Sequence, residues 1–173
     1  MIELIVVRHG ETIENTLGIC QGQTDGTLSE RGIENNKLLA KELSDHQIYK
    51  IYSSPLKRAA DTAKEISKYH SVKLEFRNNL MEWYLSTLQG KKFPTDFDIT
   101  NLGDDMENAE LVQKRLLSFL EEITEQHIDQ TIVIVSHGLT IKVLTTILEK
   151  IPITKVAEVK LMKNSGYKYF IMD

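Results

Sequence analysis

Short apolar runs separated by amphipathic stretches set the rhythm of this chain. Leu4 to Val7 is uninterruptedly apolar, ends in two valines and is soon closed by Gly10, the pattern of a strand buried on both faces. Ile48 to Tyr52, Val72 to Phe76 and Thr131 to Val135 predict three more strands. Between them the apolar positions take helical spacing. One helix is predicted from an N-cap at Ser29 to about Leu43, with Ile33, Leu38, Leu39 and Leu43 inward. A second starts at Ser53-Ser54-Pro55, with Pro55 in its first turn, and buries Leu56, Ala59, Ala60, Ala63 and Ile66. A third runs from Met106 to His127, with Leu111, Leu116, Phe119, Leu120 and Ile123 inward. A fourth follows His137 and carries Leu139, Ile141, Val143, Leu144 and Ile147.

Residues 13–28, punctuated by Gly18, Gly22 and Gly26, read as a loop. Residues 78–104 lack periodicity and contain Gly90, Pro94 and Gly103, an irregular excursion of the kind that forms lids and binding loops. Glu158 to Met162 and Tyr167 to Met172 read as two closing strands around the hairpin signal Lys163-Asn164-Ser165-Gly166. No repeat or linker interrupts the pattern, and 173 residues suit a single domain. The alternation predicts an α/β fold: a three-layer α/β/α sandwich with a mostly parallel central sheet and an antiparallel C-terminal strand.

Composition narrows the function. Hydrophobic residues at 41% and charged residues at 27% are ordinary for a globular domain. A net charge of −4 with no Lys/Arg run argues against a nucleic-acid partner, although a local cationic cluster would favour an anionic ligand. No apolar stretch approaches the ~20 residues that span a bilayer, so no membrane partner is expected. Ile2 to Val7 is short, contains Glu3 and ends in Arg8-His9, unlike a secretion signal. Cys20 is the single cysteine, which excludes an intramolecular disulfide, and a cytoplasmic location is expected. Nothing in the pattern sets an oligomeric state.

Ligands of an open α/β sheet bind at the carboxyl ends of its strands. Arg8-His9-Gly10-Glu11-Thr12 ends the first strand, and Ser136-His137-Gly138 ends the last parallel one. Arg58 lies one turn into the helix that leaves the second. Singly, each has an ordinary explanation: a structural histidine, a solvated strand-end arginine, a surface helix arginine. On one rim they make a cup. His9 is a nucleophile when neutral. Arg8 and Arg58 offer planar forks to phosphoryl oxygens, and Gly10 leaves the backbone open to a ligand. A protonated His137 sits beside a helix N-terminus whose N–H groups, that of Gly138 among them, attract anions. Each charge pair at ~4 Å is worth roughly 4 kcal/mol at an effective dielectric of about 20, before desolvation. Such a cup binds a phosphate dianion and stabilises a phosphoryl group in transit. The reading requires the two rings to lie close together and open to solvent. His9 and His137 lack Cys or carboxylate partners at metal-ligand spacing, so no metal and no other cofactor is expected.

Over nearly its whole length the chain resembles the histidine phosphatase superfamily, the phosphoglycerate mutase-like group. The resemblance rests on Arg8 through Thr12 with Asn15, on Gly22, Asp25 and Leu28 through Gly32, and on Ser53 through Ala59 with Thr62-Ala63. Leu80-Met81-Glu82 with Gly90, and Ser136-His137-Gly138, complete it. It implies that His9 is transiently phosphorylated and that Glu82 is the general acid and then helps activate water. Burial against Trp83 and Tyr84 is expected to keep Glu82 protonated. By the same resemblance Arg8, Arg58 and His137 hold the phosphoryl group and Asn15 is an accessory contact. The chain departs from the family at Ser86-Thr87-Leu88-Gln89-Gly90, at Met106-Glu107-Asn108 ahead of Arg115, and at Leu139, where a second glycine is frequent. The implied activity is metal-independent hydrolysis of a small phosphorylated metabolite, with substrate choice assigned to residues 12–28 and 83–104. Two alternatives stand beside it: a mutase, disfavoured by the short excursion, and a non-catalytic phosphate-binding module.

Overall fold

A computed structural model describes residues 1–172. Ile2–Arg8 (β1), Lys50–Ser53 (β2), Leu74–Phe76 (β3), Thr131–Ser136 (β4) and Tyr167–Met172 (β5) form one sheet in the order β3-β2-β4-β1-β5. The first four strands are parallel, and β5 runs antiparallel to β1. Successive strand residues point to opposite faces, and here both faces are covered. Leu4, Val6, Ile132 and Ile134 meet the helices Ala109–Gln126 (α4) and Gly138–Leu148 (α5). Ile5, Val7, Val133 and Val135 meet Glu30–Glu42 (α2) and Lys57–Ser67 (α3). Burial on both sides explains why β1 and β4 read as continuous apolar runs.

Register positions the site. Arg8 pairs with Ser136 across β1 and β4, and Ser53 with Val135 across β2 and β4. The ladder continues past the strand ends, with the N–H of His9 donating to Ser136 and that of Ser54 to Val135, both at 3.0 Å. Three strand ends thus deliver Arg8-His9, Ser53-Ser54 and Ser136-His137 side by side.

Several elements differ from the expected ones. Ile13–Thr16 forms a one-turn helix (α1) inside the segment read as loop, closed by a capping box between Thr12 and Asn15. Ser29 caps α2 as expected, accepting from the Gly32 N–H. The buried face of α2, however, is Gly32, Asn36, Leu39 and Ala40, continued by Leu43, while Ile33 and Leu38 flank it and stay exposed. Helix α3 begins at Lys57, so Pro55 precedes it. Helix α4 begins at Ala109 with Asn108 as its cap, and Leu111 faces solvent. Glu158 to Met162 is no strand. A 3₁₀ stretch, Ile153–Glu158, leads into an irregular segment whose Met162 carbonyl accepts from Arg8 Nη1 at 2.6 Å instead of joining a ladder. The turn at 163–166 does form, with the Gly166 N–H on the Lys163 carbonyl, but it delivers β5 to β1 rather than building a hairpin.

Candidate active site

His9 sits just past β1 with 2% of its surface exposed, in a small recess that Arg8, Asn15, Arg58 and Glu82 also line. Its Nδ1 lies 2.7 Å from the Gly10 carbonyl. A carbonyl only accepts, so Nδ1 carries the proton and Nε2 keeps its lone pair. Burial first, then Arg58 and Arg8, holds His9 well below the usual histidine range. The resting ring is a neutral nucleophile. Gly10 is small for a different reason from the one expected: a Cβ there would come within 2.6 Å of the Asn36 side chain, so packing on α2, not ligand access, excludes one.

Both arginines are fixed by carbonyls. Arg58 donates to Thr24 at 2.6 Å and Gly22 at 2.7 Å, and Arg8 donates to Met162. Their Nε atoms are buried without partners. Burial lowers both guanidinium groups, Arg58 to about 10, which leaves it charged at neutral pH. The start of α5 can lie against Arg8 because Gly138 has no Cβ; one would stand 3.2 Å from Arg8 Cζ.

The His137 ring centroid lies 5.2 Å from that of His9, so the two histidines meet as the reading required. The requirement that both rings be open to solvent is not met: His137 is fully buried, and His9, 2% exposed, reaches solvent only where it borders the recess. Direct contact with a phosphoryl group therefore needs the recess to widen on binding. The expected charge on His137 is also corrected. Burial, then Arg58, His9 and Arg8, holds it well below the usual range and so neutral. Its Nε2 lies 2.7 Å from Ser54 Oγ, which also accepts from the Leu56 N–H. With no other acceptor among the described residues, the Ser54 hydroxyl donates to Nε2. The His137 proton then sits on Nδ1, a buried donor without a partner.

Glu82 is buried and accepts from three backbone N–H groups. Oε1 accepts from the Trp83 and Thr140 N–H groups, each at 3.0 Å, and Oε2 from the Leu139 N–H at 3.1 Å; the single proton of the Thr140 hydroxyl is shared between the Met81 carbonyl at 2.9 Å and Oε1 at 3.0 Å. Two of these N–H groups belong to the first turn of α5. Backbone N–H groups thus line the Glu82 side chain in place of the apolar pocket expected from Trp83 and Tyr84; Trp83 is buried and Tyr84 is exposed. Glu107 fastens the same segment, accepting from the Tyr84 N–H at 2.8 Å and from Arg115 Nε at 2.9 Å. The departure at 106–108 thus anchors the acid loop.

Asn15 Oδ1 accepts from the Thr12 N–H and from Asn164 Nδ2, which leaves the Asn15 amide N–H groups for the recess. Asn164, Ser54 and Thr140 escaped the sequence reading. Only the Thr12–Asn15 spacing carried a local signal. Cys20 is buried behind the recess, and burial pushes its thiol up to about 11. Among the described residues no three His, Cys, Asp or Glu side chains converge to hold a metal ion.

The family profile described as "Histidine phosphatase superfamily (branch 1)" matches residues 4–170. The chain belongs to the histidine phosphatase superfamily. Phosphoserine phosphatase 1 of Hydrogenobacter thermophilus is 35% identical over 170 residues, covering 90% of this chain and 80% of that protein. The structure of a mycobacterial glucosyl-3-phosphoglycerate phosphatase superposes with a TM-score of 0.89 at 27% identity, over 96% of this chain and 90% of that one. Phosphoserine phosphatase from Entamoeba histolytica, in complex with 3-phosphoglyceric acid, superposes at 0.83 with 29% identity, over 99% and 91%.

Proposed function

We propose that this member of the superfamily is a metal-independent phosphomonoesterase that hydrolyses a small phosphorylated metabolite through a phosphohistidine on His9. One observation carries the reading. Three buried donors without partners, Arg8 Nε, Arg58 Nε and His137 Nδ1, belong to side chains beside His9, whose Nε2 lone pair is free. An orphaned buried donor is costly; a phosphoryl group in the recess satisfies the two arginine donors, and that of His137 once the recess widens. Fixing the guanidinium groups on carbonyls in advance removes reorganisation from the reaction itself. Phosphatases among the relatives support the same chemistry.

In the first step His9 Nε2 forms a bond to phosphorus as the bond from phosphorus to the alcohol oxygen breaks. Glu82, acting as the general acid, gives its proton to the departing oxygen. In the second, water attacks phosphorus, Glu82 takes a proton from it, and the N–P bond breaks to release inorganic phosphate and neutral His9. Asn15, the Gly138 N–H and the two arginines hold the phosphoryl oxygens, and His137 joins them as the recess opens. A cytoplasmic location completes the proposal, in keeping with a free, buried Cys20 thiol.

The test is turnover of p-nitrophenyl phosphate. His9→Ala is expected to abolish it, and excess EDTA to leave the unmodified protein's rate unchanged. Full turnover by His9→Ala would contradict the proposal. Incubation with 3-phosphoglycerate is expected to release phosphate; conversion to the 2-isomer without release would mark a mutase.

A further inference from the structure

Beyond the phosphoryl-binding end, the recess changes character. Its remaining wall holds four apolar side chains, Ile19, Leu85, Phe93 and Leu139, together with Gln21 and Gly22. Ile19, Leu85 and Phe93 come from the two segments that the sequence left without regular structure, and the backbone pins those segments together. Cys20 donates to the Lys91 carbonyl at 2.8 Å, Gly90 to Cys20 at 2.8 Å and Phe93 to Gly18 at 3.0 Å. The excursion is therefore laced to the loop that follows α1, and Phe93 is held at the mouth, braced edge-on by Phe97 at 4.8 Å. Phe93 is 41% exposed and, unlike the other exposed rings, lines the recess, so part of its face is open to a bound alcohol.

Charge points the same way. The cations lining the recess are Arg8 and Arg58, and the one other formal charge there is Glu82. Two guanidinium groups balance a phosphate dianion, and Glu82, protonated as the acid of the first step, adds no charge. A carboxylate on the substrate's alcohol would add an unbalanced negative charge, set against four apolar side chains with no further cation of the wall to receive it. An apolar alcohol instead covers Phe93 and removes its own surface from water.

We infer that the preferred substrate is a phosphomonoester of an uncharged, apolar alcohol, benzylic or branched alkyl, with Phe93 and Leu139 as the residues that select it. This inference rests on the phosphomonoesterase reading and names the substrate class of that site.

Benzyl phosphate, O-phosphoserine and 3-phosphoglycerate test it, because none has an activated leaving group and the ratio of kcat/KM values reads recognition. p-Nitrophenyl phosphate serves as the control for catalysis. Benzyl phosphate is expected to exceed phosphoserine by at least about tenfold. Phe93→Arg, at an exposed position the fold tolerates, is expected to shift that ratio toward phosphoserine by about tenfold or more. A higher kcat/KM for phosphoserine or 3-phosphoglycerate than for benzyl phosphate overturns the inference and leaves the phosphatase reading standing. A ratio unmoved by Phe93→Arg overturns the selecting role of Phe93. No turnover of p-nitrophenyl phosphate overturns the phosphatase reading, and this inference with it.

Discussion

Because the Gly10 carbonyl occupies His9 Nδ1, the nucleophilic lone pair is set before any substrate arrives. Ser54 does the complementary job at His137, donating to Nε2 and so making Nδ1 the donor. Removing that hydroxyl frees His137 to take the other tautomer, which turns a lone pair toward the phosphoryl group. Ser54→Ala is therefore expected to lower kcat/KM about tenfold, the worth of one lost hydrogen bond of about 1.4 kcal/mol in the transition state. Ser54→Thr, which keeps the hydroxyl, is expected to retain activity. Ring ¹⁵N shifts report the tautomer directly, and an unchanged pattern in Ser54→Ala would count against this role. Neither contact was readable from the chain. Arg8, His9 and His137 stand at the ends of apolar runs and could be found there. Ser54 acts on a ring 83 positions away through a side chain that local spacing does not mark.

At the scale of elements, the turn at 163–166 connects the C-terminal strand to the chemistry. Asn164 donates to both the His9 carbonyl and Asn15 Oδ1, and the Ser165 N–H donates to the same His9 carbonyl. Asn164→Ala leaves Asn15 free to rotate its amide, so it is expected to raise KM for an aryl phosphate about three- to tenfold while changing kcat less. A fall in kcat with KM unchanged would show that the turn serves something other than phosphate binding. The four residues of this turn were legible as a turn, and their partner was misread. The sequence pattern suggested a local hairpin, but the antiparallel place beside β1 goes to β5, and the Met162 carbonyl serves Arg8. Periodicity also located α2 and α4 correctly while misplacing Ile33, Leu38 and Leu111, because an apolar side chain beside a helix's buried stripe is indistinguishable in sequence from one within it. The parallel strands were easier. Burial on two faces writes itself into uninterrupted apolar runs, and that signal needs no partner to be read.

For the whole molecule, assembling the site from three strand ends has an energetic consequence. His9 and His137 are both buried beside the same two arginines, and both have pKa values held well below the unfolded value of 6.5. His70 is lowered as well, chiefly by burial. A base lowered in the folded state is neutral in both states above 6.5 and adds no pH dependence there. Below that, the unfolded chain takes up protons that the folded site refuses, so stability is lost as pH falls toward the folded values. Tm is expected to hold steady between about pH 8 and about pH 7 and to drop from there to about pH 5.5. Inorganic phosphate should flatten the drop, since an anion in the recess favours charged imidazoles. A flat Tm over the acid range, or a slope indifferent to phosphate, would contradict this account of the site's electrostatics.

The most direct trial of the central claim is rapid quenching of the protein with a labelled phosphomonoester, followed by mapping of the label. The account predicts an acid-labile, base-stable phosphoryl group on His9, formed faster than phosphate is released and absent from His9→Ala. Label carried by any other side chain, or steady phosphate release with no labelled protein on the way, would contradict it.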